Sequence, residues 1–207
     1  MIQQLPFVLH LTVTEYRQLA SKKPWQGKWD SDDIDIVNIK AKIKQQLVAS
    51  QNCCAYCGLK FKGDKDKQIE HIAPKAKFRQ PQFTFTLHNL VLSCIYCNNL
   101  IVKGTKQTVV LPANNIYKKC NFLIIHPYFD NPNDHIDWTD NLDKILIQVK
   151  NNSAKGRESI KMFGLDSEGM SEMRAGESNI AKLKASKPLV ADDEILVNKT
   201  LDFNIKL

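Results

Sequence analysis

No apolar run in the sequence approaches the roughly 18 residues that a membrane-spanning helix requires, so no membrane span is expected. The first ten residues carry no Lys or Arg, which argues against a secretory leader and makes a cytoplasmic protein the expectation. There is no Gly-x-x-x-x-Gly-Lys-Ser/Thr loop, so any nucleotide-driven regulation must come from another chain. Internal repeats and low-complexity tracts are also missing, which sets aside solenoids, collagen and full-length disorder. What remains is 207 residues, 43% hydrophobic and 25% charged, an ordinary soluble composition with enough chain for a core.

One further absence is local. From His71 to Phe129 there is no Asp or Glu, yet the stretch holds Lys75, Lys77, Arg79, Lys103, Lys106, Lys118 and Lys119. The chain has 29 basic and 22 acidic residues, so outside this stretch 29 − 7 leaves 22 against 22, and the whole formal excess of +7 lies within it. Lysine-rich composition can produce such a run by chance. A surface that meets a polyanion, most simply nucleic acid, is the sharper expectation.

Four of the six cysteines form two Cys-x-x-Cys pairs, Cys54–Cys57 and Cys94–Cys97. Such a turn brings two thiolates to one ion at about 2.3 Å each, and two turns make a tetrahedral zinc site. Cys53 can stand in for Cys54, but the two-residue spacing favours Cys54. Cys120 reads as a buried thiol, and disulfides are not expected in a chain with no mark of secretion.

Between the pairs lie Gln68-Ile69-Glu70-His71-Ile72-Ala73-Pro74-Lys75, then His88-Asn89-Leu90-Val91-Leu92; Asn98 follows the second pair, and Lys103-Gly104 comes shortly after. In this order the residues resemble the HNH endonucleases, whose ββα-metal hairpin and helix are clamped in many members by four cysteines on zinc. The resemblance covers roughly residues 50 to 108. A narrower similarity is to the PtuB-like HNH proteins of bacterial Septu antiphage defence, also found beside some retrons. It extends to His126-Pro127-Tyr128-Phe129-Asp130-Asn131-Pro132, followed by His135.

The resemblance implies roles. His71 matches the general base, Glu70 and Asn98 the ligands of a catalytic Mg²⁺ or Mn²⁺, and Asn89 the residue that holds the backbone around the base. Lys103 pairs with a phosphate or is a solvated lysine, and Lys75, Lys77 and Arg79 are candidate phosphate contacts. His88 reads as structural or phosphate-contacting, not as the base. The resemblance also implies a nucleic-acid substrate, DNA before RNA or tRNA, and a PtuA-type ATPase in a hetero-oligomer, with or without a retron reverse transcriptase and its nucleic acid. One departure stands out: adjacent strand residues face opposite sides, so Glu70 and His71 share one site only if the backbone there is irregular. A non-catalytic zinc-stapled module that binds nucleic acid or protein is the second reading, and a redox protein the third.

The expected class is α+β: residues 1–50 a partly helical flank, 51–110 the nuclease core, and 111–207 an α/β extension open to a partner. Ile36, Ile39, Ile43 and Leu47 fall at helical spacing. Trp25 and Trp29 flank Gly27 in a loop, with packing their default role. Phe122–Ile125, Lys144–Val149 and Glu194–Val197 read as strands, and Ser153–Gly164 and Ser167–Ala185 as helices.

Overall fold

The computed structural model describes residues 2–139 and 143–186. The expected strand at Glu194–Val197 lies outside them. Helix α1, Val13–Ser21, opens on a reciprocal cap: the Thr12 hydroxyl accepts from the Glu15 amide, and Glu15 accepts from the Thr12 amide. Helix α2, Ile34–Ser50, starts at Asp33, whose carboxylate accepts from the Asp35 and Ile36 amides. Its buried residues are Ile36, Ile39, Ile43 and Leu47, the stripe that the spacing predicts.

Strands β1, Gln68–His71, and β2, Leu90–Ser93, form an antiparallel pair in which Glu70 faces Val91 and His71 faces Leu90. Each face of this hairpin has its own core. Leu90 and Leu92 pack with α2, Leu19, Trp29 and Phe85. Val91 joins Tyr56, Ile72 and Phe83 in a second cluster that includes Ile124, Ile160 and Phe163. Alternation along β2 therefore binds the N-terminal helices to one face and the C-terminal segment to the other. The side chain of Gln51, after α2, pairs with both the amide and the carbonyl of Leu92. It extends the ladder and ties the first cysteine turn to β2.

Beyond the hairpin, β3, Ile136–Trp138, pairs antiparallel with β4, Ile147–Val149. Helix α3, Ala154–Phe163, is capped by the Ser153 hydroxyl, and α4 runs from Glu168 to Ser186. Two expectations are corrected. Phe122–Ile125 is no strand; it makes one isolated bridge, Val109 to Phe122, and Ile124 and Ile125 are both buried as a loop. The segment after Cys94, expected to be the helix of a ββα unit, runs as successive turns through Thr105.

Candidate active site and metal centre

Each cysteine turn closes locally. The Gly58 amide donates to the Cys54 carbonyl at 3.0 Å, with Gly58 at φ 72°, and the Asn98 amide donates to the Cys94 carbonyl at 3.0 Å. β2 leads straight into Cys94, and the Ala55 amide donates to the Leu92 carbonyl at 3.1 Å, so the hairpin itself brings the turns together. The sulfurs of Cys54, Cys57, Cys94 and Cys97 all lie within 4.8 Å of one another, and Cys57 Sγ is 3.9 Å from Cys94 Sγ. Tetrahedral zinc with bonds of about 2.3 Å needs sulfur–sulfur edges of about 3.8 Å, so the set fits that ion. Among the described residues this is the one such cluster. Cys53 is half-buried and takes part in a bridge with Lys60 instead, which leaves Cys54 as the fourth donor.

The clustered thiols shift one another's ionisation in both directions. Hydrogen bonding to Cys54, together with burial, pushes Cys57 and Cys97 far above the ordinary thiol range. Burial also works against Cys54, but hydrogen bonds from Cys57, Cys94 and Cys97 overcome it and hold that thiol low. The donor set is thus chemically suited to a divalent soft ion.

His71 ends β1 and is 4% exposed. Its Nε2 lies 3.0 Å from the Thr84 carbonyl oxygen, and its ring meets Trp29 edge-on at 4.5 Å. A carbonyl only accepts, so Nε2 carries the hydrogen and Nδ1 keeps the lone pair. Burial is the main cause that drops its pKa from 6.5 to about 3, aided by the charge of Lys75 and opposed by the Thr84 hydrogen bond. The imidazole is neutral at pH 7.

Asn89 supports this arrangement with every valence of its amide. Its Oδ1 accepts from the Ala73 amide at 2.6 Å and the Tyr117 hydroxyl at 3.0 Å, and its Nδ2 donates to the carbonyls of Ala73 and Phe83 at 3.0 Å each. It pins the chain leaving His71 to the segment that presents Thr84. Tyr117 passes the contact on, with its hydroxyl 3.0 Å from His126 Nε2.

Glu70 points the other way. β1 stays in register through both residues, so their side chains leave opposite faces, as regular strand geometry demands. The Glu70 carboxylate is paired with Lys103, whose ammonium also donates to the His71 carbonyl at 2.7 Å. Lys103 is fully buried, so it is neither a solvated lysine nor a surface phosphate contact. Gly104 makes this insertion possible: at φ 44° a Cβ there would lie 2.6 Å from the Leu100 carbonyl oxygen. Burial raises the Glu70 pKa, and the charge of Lys103 opposes the rise. Lys103→Met keeps the length and removes the charge, leaving a buried carboxylate alone; the expected loss is about 3–5 kcal/mol of unfolding free energy by urea titration.

Asn98 is half-buried, and its Nδ2 donates to Gln68 Oε1 at 2.8 Å. Gln68 and Glu70 share one face of β1, so Asn98 and Glu70 stand on the same side of the hairpin. Lys75 pairs with Asp30 at 2.7 Å, Lys77 is exposed, and Arg79 donates through Nε to the Thr105 carbonyl at 2.8 Å. These three lie on the loop that follows His71.

The buried histidines make stability depend on pH. The unfolded chain binds a proton on His71 near pH 6.5 that the folded chain refuses until about 3. Stability is then full above pH 6.5 and falls as pH drops through that window, by up to ~1.4 kcal/mol per unit for each such histidine. His126, held at about 3 mainly by burial, adds a second increment. Urea midpoints should fall steeply between pH 6.5 and 5, and His126→Gln should shallow the slope.

Several supporting groups carry no signal in the sequence. Thr84 acts through its backbone, and Tyr117 lies 28 residues from Asn89. Trp29 was visible as an aromatic near Gly27, but not as the wall over His71.

Residues 54–102 match the HNH endonuclease family. The chain is 24% identical over 203 residues to the Septu protein PtuB of Bacillus mycoides (strain KBAB4), covering 86% of this chain and 66% of that protein. It is 32% identical over 103 residues to a retron Vc95 protein of Vibrio cholerae serotype O1 biovar El Tor that is named for an HNH endonuclease, covering 49% of this chain and 45% of that protein. The chain thus spans less than two thirds of the length of these curated relatives. With the matched segment running from the first zinc-type turn through His71 and Asn89 to the turns before Lys103, this chain carries an HNH endonuclease domain on an α+β scaffold, with four clustered cysteines suited to zinc.

Proposed function

We propose that this chain is a metal-dependent endonuclease that hydrolyses phosphodiester bonds, DNA before RNA, with His71 as the general base. The observation that carries the reading is the placement of the imidazole: the Thr84 carbonyl holds Nε2 and leaves Nδ1 as the proton acceptor, and substrate binding must lift its pKa from about 3 toward neutrality for it to serve as base. A water at Nδ1 would give up its proton as its oxygen attacks phosphorus. Because His71 is 4% exposed and walled by Trp29, that water enters with substrate through local opening rather than from bulk. Asn89 keeps the ring's support rigid while this happens.

Glu70 and Asn98 stand on the side of the hairpin opposite the His71 ring and carry oxygen donors of the kind Mg²⁺ takes, and Glu70 must exchange the buried Lys103 ammonium before it can hold such an ion. When bound, the ion would polarise the scissile phosphate and ease departure of the 3′ oxygen. Lys103 pairs with the Glu70 carboxylate and opposes, without overcoming, the rise in its pKa that burial causes. Lys75, Lys77 and Arg79 would hold flanking phosphates, and Lys75 must first exchange Asp30 for the substrate. A PtuA-type ATPase is the proposed partner, as the resemblance implies, with the C-terminal segment as a candidate contact and a retron reverse transcriptase as a further possible component.

The test uses zinc-loaded chain, alone and with the ATPase, after brief chelation that spares the cysteine site. Adding Mg²⁺ or Mn²⁺ should restore cleavage of labelled DNA; preferred cleavage of tRNA would reassign the substrate. Full cleavage with no divalent ion beyond zinc would refute the ligand roles of Glu70 and Asn98.

A further inference from the structure

A cavity of about 920 Å³ lies on the far side of the segment that holds His71. Its walls include Trp25, Phe83, His88 and Tyr117, and its charged rim is Lys23 and Lys118. No carboxylate lines it. Its volume is in the range of small-molecule sites. Phe83 borders Thr84, whose carbonyl holds His71, and its own carbonyl is held by Asn89. The cavity wall and the support of the base are therefore one stretch of chain.

The aromatic wall is built and not incidental. The Trp25 indole N–H donates to the Leu19 carbonyl at 2.8 Å, and the ring packs edge-on against Phe85 at 6.0 Å. The Lys23 ammonium lies over one face of the ring, 4.7 Å from its centroid, so a planar ring would stack there only by displacing Lys23 toward its own phosphate. Gln82 and Asn115 add exposed amides that can meet the polar edges of such a ring. A planar heterocycle joined to a phosphate matches aromatic walls, amide donors and acceptors, and a cationic rim together.

We infer that this cavity binds an unpaired nucleotide of the substrate strand, its base against Trp25 and its phosphate between Lys23 and Lys118. The inference deepens the nuclease reading by naming a strand form: a base drawn out of, or never in, a duplex, seated beside the segment that carries Thr84. Stacking on aromatic side chains tolerates any base, so the site selects unpaired strand and not sequence.

The experiment measures binding of the full chain to short phosphorothioate oligonucleotides, unpaired and as a duplex hairpin. These resist hydrolysis, so the result can be read even if the chain cleaves nothing. Trp25→Ala should weaken the unpaired oligonucleotide by about 5- to 100-fold and leave the hairpin within about twofold. Because Trp25 also packs on Phe85, a second variant, Lys23→Gln with Lys118→Gln, changes only exposed side chains. It should flatten the salt dependence of unpaired-strand binding by about 1 unit. Wild-type affinity for the unpaired strand in both variants overturns the assignment. So does an equal loss for both probes, which would mark a general basic surface. Free AMP binding more tightly than the oligonucleotide, or a polyglutamate peptide binding in a Trp25-dependent way, would replace the proposed occupant.

Discussion

Cys94→Ser should release zinc and unfold the hairpin at ordinary temperatures. The four sulfurs lie within 4.8 Å of one another, close enough to share one ion, and losing one of them opens the closed site. The first turn is joined to β2 through Ala55 and Gln51, and the second continues β2 directly. Removing the ion therefore loosens the C-terminal end of β2, the strand whose first residue, Leu90, pairs with His71. Structural zinc supplies about 10–16 kcal/mol in small zinc-dependent folds, comparable to or above the roughly 5–15 kcal/mol by which most domains are stable. Metal analysis should find one zinc per chain in the wild type and none in the variant, with loss of a cooperative melt. Cys53→Ser should keep both, since Cys53 stands outside the cluster. A zinc-replete, normally melting Cys94→Ser protein would show that the turns serve another purpose.

His71→Ala should cut cleavage by about 10²- to 10⁴-fold while zinc content stays at the wild-type value. The ring touches Trp29 and the Thr84 carbonyl and no cysteine, so its loss leaves the metal cluster alone. The variant leaves a cavity, and some loss of stability is expected. Rates are therefore to be compared at temperatures where both proteins are folded. A fall in kcat with KM little changed would fit removal of a group that acts in the transition state.

The parts of this molecule that were legible in the sequence are those written in short spacings. The two Cys-x-x-Cys turns are four-residue signals whose chemistry is nearly independent of the rest of the chain. The stripe Ile36, Ile39, Ile43 and Leu47 announces its helix because burial on one face repeats at the helical period. Asn89 was placed through resemblance, and its four hydrogen bonds give that placement a physical reason. Other features depend on long-range closure. Phe122–Ile125 is apolar enough for a strand, but consecutive burial looks the same in a strand and in a packed loop; here the Ile125 amide bonds the Ser159 hydroxyl instead of a neighbouring strand. Lys103 was read as a surface cation because lysines usually are. Its burial follows from Glu70, 33 residues earlier, needing a counter-charge on the inner face of β1. The divergence of Glu70 and His71 was foreseeable from strand alternation, and the regular register of β1 makes it a fact of the fold.

The most direct measurement of the role given to His71 is chemical rescue. His71→Ala opens a ring-sized space beneath Trp29 and beside the Thr84 carbonyl, where free imidazole can take up the same hydrogen bond. Cleavage by the zinc-loaded variant should rise with added imidazole and follow the neutral fraction of imidazole as pH is varied. Wild-type cleavage by the variant without imidazole would contradict the assignment of His71 as the base.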